Sequence, residues 1–351
     1  MLLDGPPRRT AVYAVLAFAI FAIARHRALT TTSATPGTTE IAPGVFLPLI
    51  NLGTGSNHTA WFEHGGRGAD TAYDYGNEEQ REIGAAIRHA VKNGVPRSEL
   101  FVTTKVPCCP SPFWCTNNGV GTGEGDYWQW YEWPPVGPSK ADGPTVATTD
   151  LIQIADHNLA QLGLEFADLM ILHMPCTTHE ESLRRYRVLE EVYRQGKARA
   201  IGVANFDAEQ LEALYAAATI KPAVNQVGFG LGQPYTPWMK DLGDGRGDRV
   251  KAAIAKSQEL GVHLMSYGGL GGSTLQSFSA LVSHPTVAEV ALAHGISGAQ
   301  VAMRWLVQQG MAVVTAGMNP GHYDEDVAVV KDVQLSKSEM GRLSAVTERL
   351  V

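Results

Sequence analysis

Short apolar runs recurring between segments of helical periodicity constrain this chain more than any other feature. Eight such runs stand out: 51–53, 69–72, 101–106, 168–173, 198–203, 223–227, 262–267 and 311–315. Several are apolar almost without interruption, the pattern of strands buried on both faces. Helical periodicity fills Glu78 to Val91, Asp150 to Leu162, Glu180 to Arg194, Ala208 to Ala217 and Arg249 to Leu260. Strand and helix in alternation, with eight strands, predict an α/β fold of the closed (β/α)8 TIM-barrel type. An open doubly wound sheet is the rival, and the lack of a GxGxxG after the first run weakens it. Ile41 to Leu49 reads as a small hairpin closing the bottom of the barrel.

Residues 1–40 read differently. Arg8 and Arg9 precede a 14-residue apolar run, Ala11 to Ala24, and Arg25, His26 and Arg27 follow it. A bilayer span takes about 20 apolar residues. The run matches the core of a signal peptide, with Ala22-Ile23-Ala24 as a small-x-small cleavage site. An uncleaved signal anchor, whose arginines reach out to the headgroups, and an organelle leader are the alternatives. Localisation stays open between them, as does attachment to a membrane through residues 11–24. Residues 28–39 read as a linker, so the chain divides into a leader, 1–40, and a barrel, 41–351.

The net charge of −7 lacks the basic footprint of a nucleic-acid protein. One segment breaks the rhythm of the body. Residues 107–147 hold seven of 19 prolines, four of seven tryptophans and three of four cysteines. Following the third strand, this long aromatic-rich loop belongs at the C-terminal mouth of a barrel, as a lid or pocket wall. Cys108, Cys109 and Cys115 lack the second half of a zinc site, so no metal is expected. A Cys109–Cys115 disulfide and free thiols are equally open readings. Asn57-His58-Thr59 is an N-glycosylation sequon.

The densest chemical signal is Asp70-Thr-Ala-Tyr-Asp-Tyr75-Gly-Asn-Glu78. With Thr104-Lys105, Leu172-His173-Met-Pro175, Gly196 to Phe206, Pro222 to Val227, Ser266 to Gly271, Gly295 to Val301 with Arg304-Trp305, and Leu335 to Met340, all in order, it resembles the aldo-keto reductase family over most of 41–351. That resemblance implies a barrel, a nicotinamide cofactor (NADPH or NADH) and reversible reduction of an aldehyde or ketone to an alcohol. The implied partner is a small carbonyl compound, and the implied assembly is a monomer. The alternative function is a cofactor-binding barrel with a regulatory or scaffolding role and little turnover.

The resemblance places a catalytic tetrad on Asp70, Tyr75, Lys105 and His173. A carbonyl carbon that accepts hydride leaves negative charge on its oxygen, and that oxygen needs a proton. A free tyrosine, with a pKa of about 10, gives its proton up reluctantly at neutral pH. An ammonium such as Lys105 nearby favours the phenolate and makes Tyr75 a better acid. Asp70 would hold Lys105, and His173 would orient the substrate oxygen.

The same resemblance assigns the cofactor. Asn205 and Gln226 would bind its carboxamide, and Tyr267 would stack on the nicotinamide. Gly268, Gly269, Leu270 and Gly271 would wrap the pyrophosphate, and Thr54, between Gly53 and Gly55, would line the nicotinamide side. The phosphate-grip positions fall on Ala316, Gly317 and His322, and the adenine-side pair on Glu325 and Asp326. Here the chain departs from the pattern. Many members carry Lys-Ser and an Arg where this chain has Ala316, Gly317 and His322. Ala204 replaces a serine, Gly228 and Gly230 stand where an acid and a histidine are common, and Gly268-Gly269 replace Ser-Pro. The grip on a 2′-phosphate is therefore expected to be weak.

Overall fold

The structure is a computed structural model that describes residues 37–108, 150–176, 178–231, 246–270 and 275–347. The apolar run 11–24 and most of the aromatic-rich segment lie outside these residues. Among the described residues, no helix is long and apolar enough to cross a membrane.

The described residues open with an antiparallel hairpin, β1 (Thr38–Ala42) and β2 (Val45–Pro48). The hairpin therefore begins three residues ahead of the expected Ile41. Eight parallel strands follow: β3 (Ile50–Leu52), β4 (Gly68–Asp70), β5 (Phe101–Val106), β6 (Ala167–Leu172), β7 (Ala198–Ala204), β8 (Val224–Gly228), β9 (His263–Tyr267) and β10 (Met311–Thr315). Each pairs with the next, and β10 closes on β3 through Val313 against Ile50. The expected closed barrel is thus present, with each strand overlapping one of the eight apolar runs. Every residue of β5, β6 and β8 is buried, as strands covered on both faces must be.

The hairpin closes the N-terminal end. Ile41, Val45 and Leu47 pack with Phe101, Leu169, Ile171, Ala200, Val224, Met265 and Ala312 from the barrel interior. Asp168, fully buried, accepts from Arg97 at 2.8 Å and Arg199 at 2.9 Å. Arg199 reaches on to Gly44 O at 2.7 Å and so ties the hairpin to the barrel floor. A buried carboxylate needs such partners to offset its lost hydration.

Eleven helices are described: α1 (His58–Glu63), α2 (Asn77–Lys92), α3 (Leu151–Leu162), α4 (His179–Arg194), α5 (Ala208–Ala217), α6 (Arg246–Leu260), α7 (Leu275–Val282), α8 (Pro285–His294), α9 (Gly298–Val307), α10 (Pro320–Asp332) and α11 (Lys337–Thr347). Their starts follow capping chemistry. Asp150 accepts from Ile152 N, and Asp207/Gln210 and Ser297/Gln300 form reciprocal capping boxes. Asn57 of the sequon is itself a cap, its Oδ1 accepting from Ala60 N at 3.0 Å. Three helices, α7 to α9, fill the single crossover between β9 and β10.

Candidate active site

The four residues of the expected tetrad meet at the C-terminal ends of three neighbouring strands. Asp70 ends β4, Lys105 lies one residue from the end of β5, and His173 follows β6 directly. Tyr75 arrives on a 3₁₀ turn, Tyr73–Tyr75, immediately after β4. Gly76, at φ 97°, turns the chain from there into α2, a backbone angle at which a side chain would be strained.

Lys105 is fully buried. Its ammonium donates to the Asp70 carboxylate and to Thr71 O, the latter at 3.0 Å. The second Asp70 oxygen accepts from Gln226 Nε2 at 2.8 Å. Lys105 Nζ stands 4.9 Å from the centre of the Tyr75 ring. Asn158, buried on α3, donates to Lys105 O at 3.0 Å and to Thr104 Oγ1 at 3.1 Å, which fixes the strand end that carries the lysine.

His173 packs edge-on against Tyr75, with ring centres 5.5 Å apart and planes at 81°. Its Nε2 is 3.4 Å from the Tyr75 hydroxyl, and its Nδ1 is 2.7 Å from Asp74 Oδ2. Burial holds the His173 imidazole below its ordinary range, while Asp74 pulls the other way. Asp74 was not singled out from the sequence. It lies inside the quoted motif, but its partner is 99 residues away, so only the fold reveals the pairing.

Three of the expected cofactor residues, Asn205, Gln226 and Tyr267, stand beside this centre. Asn205 is the non-glycine residue with positive φ, 63°, among those described. Directly after β7, that kink sets its amide between His173 O at 2.9 Å and the Tyr267 hydroxyl at 2.6 Å. The backbones of Gly230 and Gly269 touch: a Cβ on Gly230 would lie 2.6 Å from Gly269 O. Two departures from the family pattern, in the loops after β8 and β9, are therefore one paired feature. Gly268 adopts φ 67°, and Leu270 is partly buried. Gly271 lies outside the described residues.

Thr54 is part of the loop after β3, where Gly55 N donates to Glu79 at 3.1 Å. Burial raises the Glu79 carboxyl to about 7. From the neighbouring loop after β10, Gly317 N donates to Ser56 Oγ at 3.0 Å, and the Tyr323 hydroxyl accepts from Asn57 N and donates to Gly317 O. Ala316, His322 and Glu325 are exposed, with His322 Nε2 3.2 Å from the Asn319 amide. No lysine or arginine occurs in 315–330.

The free-thiol reading needs correction at Cys108. Cys108 is disulfide-bonded to Cys176, with Cα atoms 5.4 Å apart. Cys109 and Cys115 lie outside the described residues. The sequence reading looked for partners within one loop. The observed bridge instead links the loops after two neighbouring strands, each cysteine three residues beyond a tetrad member, Lys105 or His173.

A family profile, Aldo/keto reductase family, matches residues 58–348. Morphine 6-dehydrogenase of Pseudomonas putida is 30% identical over 315 residues, covering 86% of this chain and 88% of its own. An aldo-keto reductase from a Medee basin deep-sea metagenome library superposes with a TM-score of 0.64 at 26% identity, covering 86% of this chain and 93% of its own. A Bombyx mori aldo-keto reductase in complex with NADP gives 0.66 at 22% identity, covering 91% and 96%. With a barrel of this topology and a profile match across most of its length, the chain belongs to the aldo/keto reductase family.

Proposed function

We propose that this protein reduces an aldehyde or ketone to an alcohol, reversibly, with Tyr75 as the general acid. One observation carries the reading. A fully buried lysine, paired with Asp70, holds its ammonium over the Tyr75 ring at the mouth of the barrel. A buried charge is costly to keep and is retained where it acts on something. Here it stabilises the negative charge left on Tyr75 as the hydroxyl gives its proton to the substrate oxygen. Asp70 holds the ammonium in place. Gln226 fixes the carboxylate that does so. His173 closes the pocket beside the Tyr75 hydroxyl.

The residues present fit a nicotinamide dinucleotide. Two amides, Asn205 and Gln226, stand beside the tetrad, and Tyr267 is next to them. The Gly230–Gly269 contact brings the loops after β8 and β9 together more closely than a Cβ on Gly230 would allow. Bound there, the cofactor supplies the hydride. At the outer end, Ala316, Gly317 and His322 offer no permanent cation to a 2′-phosphate. That favours no strong choice of NADPH over NADH, and with the Gly-rich loop Gly268-Gly269 it favours the alternative, a nucleotide-binding barrel with little turnover.

Steady-state oxidation of NADH and NADPH with a panel of aldehydes and ketones separates the two readings. Tyr75→Phe keeps the ring and removes the proton donor. It should lower kcat by at least about 10²-fold, the usual scale for a general acid, while cofactor affinity barely moves. A Tyr75→Phe protein that retains near-full turnover excludes Tyr75 as the acid, and wild-type protein inactive on the whole panel favours the binding barrel.

A further inference from the structure

The His173 imidazole is held at both of its nitrogens by two consecutive residues. Asp74 Oδ2 lies 2.7 Å from Nδ1, and the Tyr75 hydroxyl lies 3.4 Å from Nε2. The histidine and aspartate side chains are 7% and 8% exposed, so solvent does little to compete for the contact. An ionised carboxylate only accepts hydrogen bonds, so the proton on Nδ1 must belong to the imidazole. A neutral imidazole carries one N–H. With that hydrogen committed to Asp74, Nε2 presents a lone pair to Tyr75, and the tyrosine O–H is the donor.

We propose that Asp74 is a positioning residue that fixes His173 in its Nδ1–H tautomer, making Nε2 an acceptor for the Tyr75 hydroxyl rather than a donor to the carbonyl oxygen. This revises the role that the sequence suggested for His173. A carbonyl oxygen needs a donor, and the neutral ring as held here has none to offer on the side of Tyr75. The imidazole instead aims the hydroxyl of the acid. It holds the O–H in the pocket until a carbonyl oxygen arrives as a competing acceptor, and the hydrogen then swings to the substrate. The 3₁₀ turn serves this arrangement by placing acid and positioning residue side by side. One short segment therefore sets both the proton donor and the tautomer of the ring that aims it.

The inference rests on the reductase reading only for its kinetic arm, and a spectroscopic arm stands apart from it. Nitrogen-15 NMR of uniformly labelled protein distinguishes a protonated from a bare ring nitrogen. The His173 signals are identified by their loss in His173→Gln. The expected wild-type result is a protonated Nδ1 and a bare Nε2. A wild-type ring protonated at Nε2 and bare at Nδ1 overturns the proposal, whether or not the protein turns over any carbonyl.

Asp74→Leu removes the acceptor. It should move the proton to Nε2 and lower kcat by roughly tenfold or more, the scale of a misaligned catalytic group, with KM for the carbonyl changed less than about threefold. Asp74→Asn offers either an acceptor or a donor to Nδ1, and its kcat should follow whichever tautomer its spectrum shows. Wild-type kcat in a variant whose tautomer has flipped refutes the role. A variant that fails to fold leaves the wild-type spectrum as the deciding measurement. Wild-type protein with the Nδ1–H ring but no activity on the panel would count against the reductase reading and leave the tautomer assignment intact.

Discussion

Asp70→Asn tests the energetic core of the site. The substitution keeps shape and removes one charge. Lys105 has no route to solvent, since its side chain is fully buried and its ammonium has Asp70 and Thr71 O as partners. Without the carboxylate, the ammonium keeps a carbonyl oxygen and an amide oxygen, neither of which carries a full charge. Breaking a buried ion pair from one side typically costs about 3–5 kcal/mol, and the retained amide oxygen places this case near the lower end. A loss of about 3 kcal/mol, at a urea dependence of about 3 kcal/mol per molar, lowers the unfolding midpoint by about 1 M. Equilibrium urea denaturation followed by tryptophan fluorescence reads that shift. The Asp70→Asn/Lys105→Met double variant replaces the pair by groups that need no ionic partner, and should recover at least half of the loss. An Asp70→Asn protein destabilised by less than about 1 kcal/mol, or a double variant no better than the single, would show that the pair is not held as the geometry implies.

Other expectations follow from the same coordinates. Gly230→Ala drives a Cβ into the backbone of Gly269, whereas Gly269→Ala meets only the end of the Leu306 side chain at 2.7 Å. The first should cost about 1–3 kcal/mol in thermal unfolding and weaken NADH binding, and the second should cost less; the reverse order would refute the backbone contact. Burial, with Glu325 alongside, raises the Asp326 carboxyl to about 7. An unfolded aspartate releases its proton near pH ~4, so the folded state binds it more tightly, and stability from this group is lost as pH rises from about 4 to about 7. Asp326→Asn should therefore leave Tm unchanged at about pH 4 and raise it by a few degrees at about pH 8, and a gain equal at both values contradicts the shift. For the cofactors, one missing charge-assisted bond to the 2′-phosphate, worth about 1.5–3 kcal/mol, removes about tenfold or more of NADPH affinity. Fluorescence titration should give NADH and NADPH dissociation constants within about tenfold of each other, and a preference for NADPH of about 100-fold would place a cation from elsewhere at the phosphate.

The strands were legible because burial on both faces leaves a continuous apolar run, a signal carried by each strand alone. β5 and β6 are the clearest cases. The six-residue helix α1 was not legible, since its periodicity is too short to register. The three helices between β9 and β10 were hidden because a repeat of one strand and one helix gives no reason to expect more. In the site, Asp70, Tyr75, Lys105 and His173 could be named from motifs, and the fold brings them together. Asp74 and Cys176 could not, because each acquires its meaning from a partner on another strand. An aspartate in a turn and a cysteine after a Met-Pro pair read as ordinary until β4, β5 and β6 lie side by side.

The Cys108–Cys176 bridge has a further consequence, one of chain connectivity. The two cysteines enclose a stretch of the sequence with a separation of 68 residues, which runs through α3 and β6. A single peptide-bond cut anywhere inside that stretch opens a ring instead of dividing the molecule. The two fragments travel together on a denaturing gel without reductant and part only when a thiol is added. The half carrying Asp70, Tyr75 and Lys105 and the half carrying Asn205, Gln226 and Tyr267 thus remain one covalent particle after such a nick, with the knot tied beside the candidate site.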